Sequence, residues 1–383
     1  MRRQAIYTED DFHALRDKGR IWNFHDEDTN EHLHTLHPYP AKFIPQIPRT
    51  AIARWSKRGN LVYDPFCGCG TTLLEASLAG RPSIGTDNNA VAILVARAKT
   101  TLYSPADLDR LTTFARTLSA RLETASPRKD LVPENKNFHY WYSNDITQRL
   151  AVLKGVIIEE PEPNRTLLLA VFSAILVRLS YQDSDTRYVR VVKTIPASSV
   201  ESTFQAKLQE VLLRLPELLT RTRAKSTVEQ ADARAVPMIS TKSVHLIVTS
   251  PPYLNAYDYH KYHRQRLHWI NGDVAFARDA EIGSHDQFTR TNAIPEPYFE
   301  DMNQCFAEWA RVLRRGGHAL IIIGDAIVSG RPVKVGDRFI QLLSEQGLAL
   351  EERWVRELHA TKRAFNVRNS RITHEHVLLF RRA

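Results

Sequence analysis

The chain has 383 residues, 43% of them hydrophobic and 25% charged, which supplies a buried core and excludes a disordered protein. With 52 Lys and Arg against 43 Asp and Glu the net charge is +9 and the sequence pI about 9.4, a surplus that admits a polyanionic partner without requiring one. The 3 cysteines cannot build a disulfide framework, the longest apolar stretch (Leu167 to Val177) is too short for a bilayer, and the opening MRRQAIYTEDDF has charges but no apolar run of a signal peptide. Membrane, secreted and fibrous classes are set aside, and a reducing, cytoplasmic setting is expected.

Residues 1–36 are polar and rich in His and acid, and read as a mobile lead-in. In HPYPAKFIPQIP (37–48) four prolines argue against a regular helix until about Arg49, so a short helix is expected over 50–57. LVYD (61–64) reads as a buried strand, FCGCG as a Gly-rich turn, and TTLLEASLAG as a helix ending on Gly80. SIGTD (83–87) is a second strand and NAVAILVARAKT a second helix. That alternation opens a doubly wound α/β sheet. Residues 101–225 break it: apolar residues recur at helical spacing over 105–124, 147–158, 164–181 and 201–223, which predicts a helical insertion. The alternation resumes at 226. Strands are predicted at 227–232 and 244–250, an aromatic and His-rich excursion at 254–296, a helix at 297–317 stopping on paired glycines, and a buried strand HALIIIGD (318–325). After a helix over about 334–346, two strands close the chain (350–358 and 374–382), giving about seven in all.

Two turns carry chemistry. Asp64-Pro-Phe-Cys-Gly-Cys-Gly-Thr-Thr72 lies where the first strand meets the first helix, and its glycines let a ligand approach the backbone. It lacks the Gly-Lys-Ser/Thr of a phosphate loop, and only Gly68 and Gly70 fit a dinucleotide fingerprint. A carboxylate at Asp64 repels a pyrophosphate and suits a cation. Asp87, which closes the next strand, suits ribose hydroxyls. A positively charged nucleoside without phosphates meets both demands, and S-adenosyl-L-methionine is such a molecule. The second turn, Thr249-Ser250-Pro251-Pro252-Tyr253, follows the strand VHLIV. Two prolines fix φ and remove two donors, leaving rigid acceptors beside an aromatic ring. That arrangement suits the exocyclic amine of a flat base: its N–H groups donate to the Pro251 carbonyl and Ser250 Oγ, and Tyr253 stacks on the ring.

DPFCGCGTT with Asp87, followed by TSPPY, resembles the S-adenosylmethionine-dependent amino-methyltransferases of DNA bases. The resemblance implies a Rossmann-like α/β fold, a seven-stranded sheet with its last strand antiparallel, over 37–100 and 226–383. The insertion at 101–225 is then the expected place for target recognition. It implies a cofactor site of Asp64, Phe66, Gly68, Gly70 and Asp87, with Asp232 of QADAR at the adenine amine. Lys42 and Phe43 of HPYPAKF would close over the methionine end. It implies Ser250, Pro251, Pro252 and Tyr253 as the catalytic turn. Adenine-N6 members usually carry Asp or Asn at the first turn position, and Ser there resembles the cytosine-N4 group. Double-stranded DNA is the implied partner, and a cognate restriction endonuclease is admitted as another. Adenine N6, an RNA guanine N2 amine, and a non-catalytic nucleic-acid-binding module stand as alternatives; the intact acids and turn weigh against the last.

Weaker signals remain. YDYHKYHRQRLHW (257–269) interleaves aromatic and basic residues and tips toward nucleic-acid contact over a solvated helix. For the polar segment 178–193 and the basic loop 361–373, a DNA contact and an ordinary solvated connection weigh about equally. His32, His34 and His37 lack a completing ligand set, so no metal is expected. Cys67 and Cys69 read as small loop fillers, and Asp325 as a loop cap.

Overall fold

The computed structural model describes residues 21–25, 27–134, 138–221, 223–288, 293–358 and 373–383. Seven strands form one sheet: β1 (Val62–Asp64), β2 (Ser83–Asp87), β3 (Ser226–Gln230), β4 (Val244–Thr249), β5 (Leu313–Ile323), β6 (Leu348–Glu357) and β7 (His374–Arg382). Their order is β6-β7-β5-β4-β1-β2-β3. Neighbours from β3 across to β5 are parallel, and β7 runs antiparallel between β5 and β6. The chain winds outward from β1 to β3, then returns to lay β4 on the other side of β1. The ends of β1 and β4 therefore flank the switch point, where open α/β sheets bind ligands.

Alternation along the strands sorts the two faces. Leu246 and Val248 of β4 pack with Val62, Leu320 and Val377 against α1 (Gln46–Trp55), while Ile247 packs with Tyr63 and Ile321 against α8 (Glu296–Val312) and α9 (Val335–Glu345). On the α1 side lie α2 (Thr71–Leu78) and α3 (Ala90–Thr100), the latter capped by the Asn89 side chain on the Val91 amide. The insertion supplies α4 (Pro105–Thr124), α5 (Asn144–Ile158), α6 (Asn164–Ile175) and α7 (Ser199–Leu219). A Ser104–Asp107 capping box with Pro105 at the first position starts α4. Leu118, Leu150, Phe172 and Phe204 of the insertion share one buried core with Val91, Val95 and Ala98 of α3.

Four local expectations are corrected. The helix α1 starts at Gln46, not at 50, because Pro48 falls in its first turn, where a missing N–H has no intrahelical partner to lose. The helix expected over 164–181 ends at Ile175, and Gln182–Ser184 and Arg187–Arg190 form a small antiparallel hairpin. Gly316 and Gly317 do not stop a helix but lie inside β5, which begins at Leu313. A bulge there sets Leu313 to His318 opposite only Val244 to Leu246, and a Cβ on Gly317 would sit 3.0 Å from the His245 carbonyl. The described part of the lead-in is docked: Ile21, Trp22, Phe24, Leu33 and Leu36 are buried, and Trp22 stacks on Trp55 at 6.3 Å. Among so many polar neighbours, these five apolar side chains were diluted below any periodic signal.

A buried ion network pins that segment. Glu75 of α2 accepts from His34 Nε2 at 2.8 Å and from Arg49 Nε at 2.8 Å, and Arg49 reaches Glu31 at 2.7 Å. Burial alone would raise the Glu75 carboxyl, but the bonds from His34 and Arg49 hold it down at about 2; burial lowers His34 to about 4, so the imidazole is neutral. The Glu75 contribution is present above its ordinary value of 4.5 and is lost as the pH falls towards about 2. Replacing Glu75 by Ala leaves Arg49 with Glu31 alone and His34 without its acceptor, and should cost about 3 kcal/mol at neutral pH, read as a lower urea midpoint with unchanged slope. A loss below about 1 kcal/mol would mean that apolar contacts alone dock the segment.

Candidate active site

The Gly-rich turn is built by its backbone. Gly68 and Gly70 have φ of +46° and +77°, the left-handed region that glycine enters without penalty. At Gly70, which caps α2, a Cβ would also come within 2.8 Å of Ala96 on α3. Gly70 is thus fixed by helix packing, and it does not line the cleft that opens over the turn. Gly68 does: its amide donates to Asp87 Oδ2 at 2.9 Å, while Asp87 Oδ1 accepts from the Asn89 amide at 2.9 Å. Asp64 is buried, accepting from Thr249 Oγ1 at 2.7 Å and from the Phe66 amide at 3.2 Å. Burial pushes both carboxyls, Asp64 and Asp87, up to about 6.

The cleft opens to solvent and lies at the switch point. Asp64, Phe66, Gly68 and Asp87 form one wall, and Ser250 and Pro252 reach it from the end of β4. Tyr39 to Phe43 arch over it: the ring of Tyr39 would be 3.5 Å from a Cβ at Gly68, and Lys42 Nζ donates to the His34 carbonyl at 3.0 Å. Asp64, Asp87 and Glu281 face the cleft against one Lys or Arg among the described residues, Lys42. Glu281 is already engaged by the Tyr259 and His260 amides and by His260 Nδ1. A cationic nucleoside fits this set, because it would lower the cost of keeping Asp64 and Asp87 charged.

The remaining expected residues lie nearby with other partners. Pro251 and Tyr253 are sequence neighbours of the lining residues Ser250 and Pro252 and are not themselves among the lining side chains. The Tyr253 hydroxyl donates to Glu375 Oε1 at 2.6 Å, and the Pro252 carbonyl accepts from Tyr298 at 2.9 Å. Asp232 does not line the cleft, although Ala231 and Ala233 do; its carboxylate forks on Arg234 at 2.6 and 3.0 Å, and Arg234 also pairs with Asp301. The segment 257–269 is corrected: His263, Gln265, Arg266, Leu267 and Trp269 are buried, and Arg266 pairs with Asp185 of the hairpin. Its basic spacing served the core in part: Lys261 is half-buried and bonded to Asp258 and Asp286, and Arg264 is exposed. His32, His34 and His37 go to Glu217, Glu75 and Ser173 separately, and no group fit to hold a metal is found among the described residues. Asp325 accepts from the Gly336 amide in the first turn of α9. Residues 361–372 of the basic loop lie outside the described residues. Glu375 and Tyr298 were missed, as was the bond from Thr249 to Asp64, since each contact joins residues far apart in sequence.

The sequence matches the DNA methylase family of N6 and N4 enzymes over residues 3–97 and 244–383, more than half of the chain. The chain belongs to that family. S-adenosyl-L-methionine is the family's methyl donor. Relatives include the Type II methyltransferase M.MvaI of Kocuria varians, 28% identical over 42% of this chain and 37% of that protein. The Type II methyltransferase M.BsoBI of Geobacillus stearothermophilus is 23% identical over 65% of this chain and 55% of that protein. The chain spans about half or less of the length of the curated relatives it matches. A SAM-dependent methyltransferase structure from Methanosarcina mazei aligns with 86% of this chain and 96% of that one, at 11% identity and a TM-score of 0.36.

Donor binding should therefore depend on pH. Above about 6 both carboxyls are charged and affinity reaches a plateau; as the pH falls through about 6 they protonate and the dissociation constant rises. Calorimetric titration between pH 5 and 8 reads this directly, roughly tenfold per pH unit for each group that must be charged. A flat profile would remove the carboxylates from the binding step.

Proposed function

We propose that the chain transfers a methyl group from S-adenosyl-L-methionine to the exocyclic N4 amine of cytosine at a specific site in double-stranded DNA. The observation that carries this reading is Ser250, at the head of the Ser-Pro-Pro-Tyr turn, lining the same cleft as Asp64 and Asp87. When bound, the donor supplies an electrophilic methyl group. Asp87 would hold the ribose hydroxyls and Asp64 the positive end, with Phe66 and Gly68 shaping the wall and Lys42 and Phe43 closing over the top. Gly70 contributes by fixing α2 against α3, and Asp232 is left to its ion pair with Arg234.

On the base side, Ser250 Oγ and the Pro251 carbonyl would accept the amine N–H groups, drawing the nitrogen lone pair out of conjugation and aiming it at the methyl carbon. Pro251 and Pro252 fix those acceptors in advance, so little reorganisation remains at the moment of transfer. Extrusion of the cytosine from the duplex brings the amine within reach. The DNA methylase family match supports DNA as substrate, and a restriction endonuclease of the same site is the proposed partner. The hairpin strand Arg187–Arg190 lies beside the Tyr259–Tyr262 turn, whose Tyr259 lines the cleft, and exposes Arg187; Arg264 is exposed nearby. These cations suit phosphates flanking the base.

Transfer of tritium from labelled donor into duplex DNA, with the product base identified by mass spectrometry, tests the reading. N4-methylcytosine is expected; N6-methyladenine would turn the assignment to the runner-up, and no incorporation with donor still bound would sink the enzyme. Tyr253→Ala should lower transfer by about 100-fold or more while donor affinity holds within about threefold, and Asp87→Ala should weaken donor binding first. Arg187→Ala should weaken all duplexes alike and reduce the salt slope of binding by about 1. An unchanged slope would place the DNA elsewhere.

A further inference from the structure

The strand β7 places a carboxylate behind the catalytic turn. Glu375 lies at its start, register partner to Arg356 on β6, and both side chains are buried. Glu375 Oε2 pairs with Arg356 at 3.3 Å, and Oε1 accepts from the Tyr253 hydroxyl at 2.6 Å, the short distance of a charge-assisted bond. The Tyr253 oxygen in turn stands 3.5 Å from Ser250 Oγ, a long contact in which Ser250 is the donor. Each hydroxyl has one proton to give, and a carboxylate paired with Arg356 has none.

The direction of the chain follows from that count. Tyr253 must spend its proton on Glu375, so it offers only lone pairs to Ser250. Ser250 then spends its own proton on Tyr253, and the Oγ lone pairs that remain are what the cleft meets. We propose that Glu375 is a positioning residue that sets the hydrogen-bond polarity of the turn: it makes Ser250 a pure acceptor and so reserves the site for a base edge that carries an amine. A base presenting a carbonyl oxygen at the same place, as uracil or thymine does, would meet lone pair against lone pair. Burial, the nearby Glu375 charge and the bond to it all push the Tyr253 hydroxyl well above its ordinary range, so it stays protonated and keeps donating.

This inference rests on the base-methylating reading above, and the full-length chain tests the two separately. In Glu375→Gln the amide can present N–H instead of C=O, so the polarity is no longer imposed. The turnover rate should fall about 10- to 100-fold, with donor affinity and the KM for DNA within about threefold. Preference for a cytosine-containing duplex over its uracil counterpart should narrow in a binding assay. Added to Tyr253→Phe, Glu375→Gln should cost nothing further, because its effect passes through the hydroxyl; a purely structural role would leave the two losses additive. Should Glu375→Gln misfold through the stranded Arg356, the paired change Arg356→Met with Glu375→Gln removes that charge. Independently of turnover, NMR should show an exchange-protected Tyr253 hydroxyl proton, lost in both Tyr253→Phe and Glu375→Gln. Full activity in Glu375→Gln, additive losses, or no protected proton in the unaltered chain would each overturn the proposal. A protected proton lost in both variants, in a chain that methylates no DNA, would uphold the polarity and defeat the proposed reaction.

Discussion

One hydrogen bond joins the two halves of the site. Thr249, the last residue of β4, donates its hydroxyl to the buried Asp64 carboxylate at the end of β1 at 2.7 Å. A carboxylate out of water is costly unless hydrogen bonds hold it, and Asp64 Oδ1 takes two, from Thr249 and from the amide of Phe66 in the Gly-rich turn. Because β1 and β4 are adjacent parallel strands, that bond fixes the distance between the cleft wall after β1 and the turn that begins at Ser250. The geometry of any transfer across the cleft is set by the sheet itself, before a flexible side chain enters.

A second layer of constraint surrounds this joint. Asp87 holds the Gly68 amide, Gly70 lets α2 and α3 approach closely, and the His34–Glu75–Arg49 network holds the segment that covers the cleft. Behind the turn, Tyr298 fixes the Pro252 carbonyl and Glu375 the Tyr253 hydroxyl. Several of these groups are ionisable and buried, so the site is organised by charges that are each answered locally rather than by shape alone.

The parts legible in the sequence are those whose signal is local. Each of the seven strands is a short apolar run or an alternation bounded by turn residues, and the Asp64 to Gly70 and Ser250 to Tyr253 turns are contiguous. What was illegible depends on side chains far apart in sequence. Glu375 stands 122 positions from Tyr253, and in HEHVLLFRR it is one charge among several. The segment 257–269 misled for a related reason: a buried Arg266 answered by Asp185, 81 residues away, looks in sequence like a basic residue bound for solvent. Gly316 and Gly317 misled because a glycine pair marks a bulge as readily as a helix stop.

The insertion has no core of its own to carry away. Its helices bury Leu118, Leu150 and Phe204 in the same cluster as Val91 and Val95, one turn beyond Asp87 and its neighbour Asn89. A segment built in this way cannot be lifted out intact, since its removal would expose the back of α3 and loosen the strand end that carries Asp87. Change in such a segment is confined to its outer surface, residue by residue, while the inner surface is held constant by the pocket it supports.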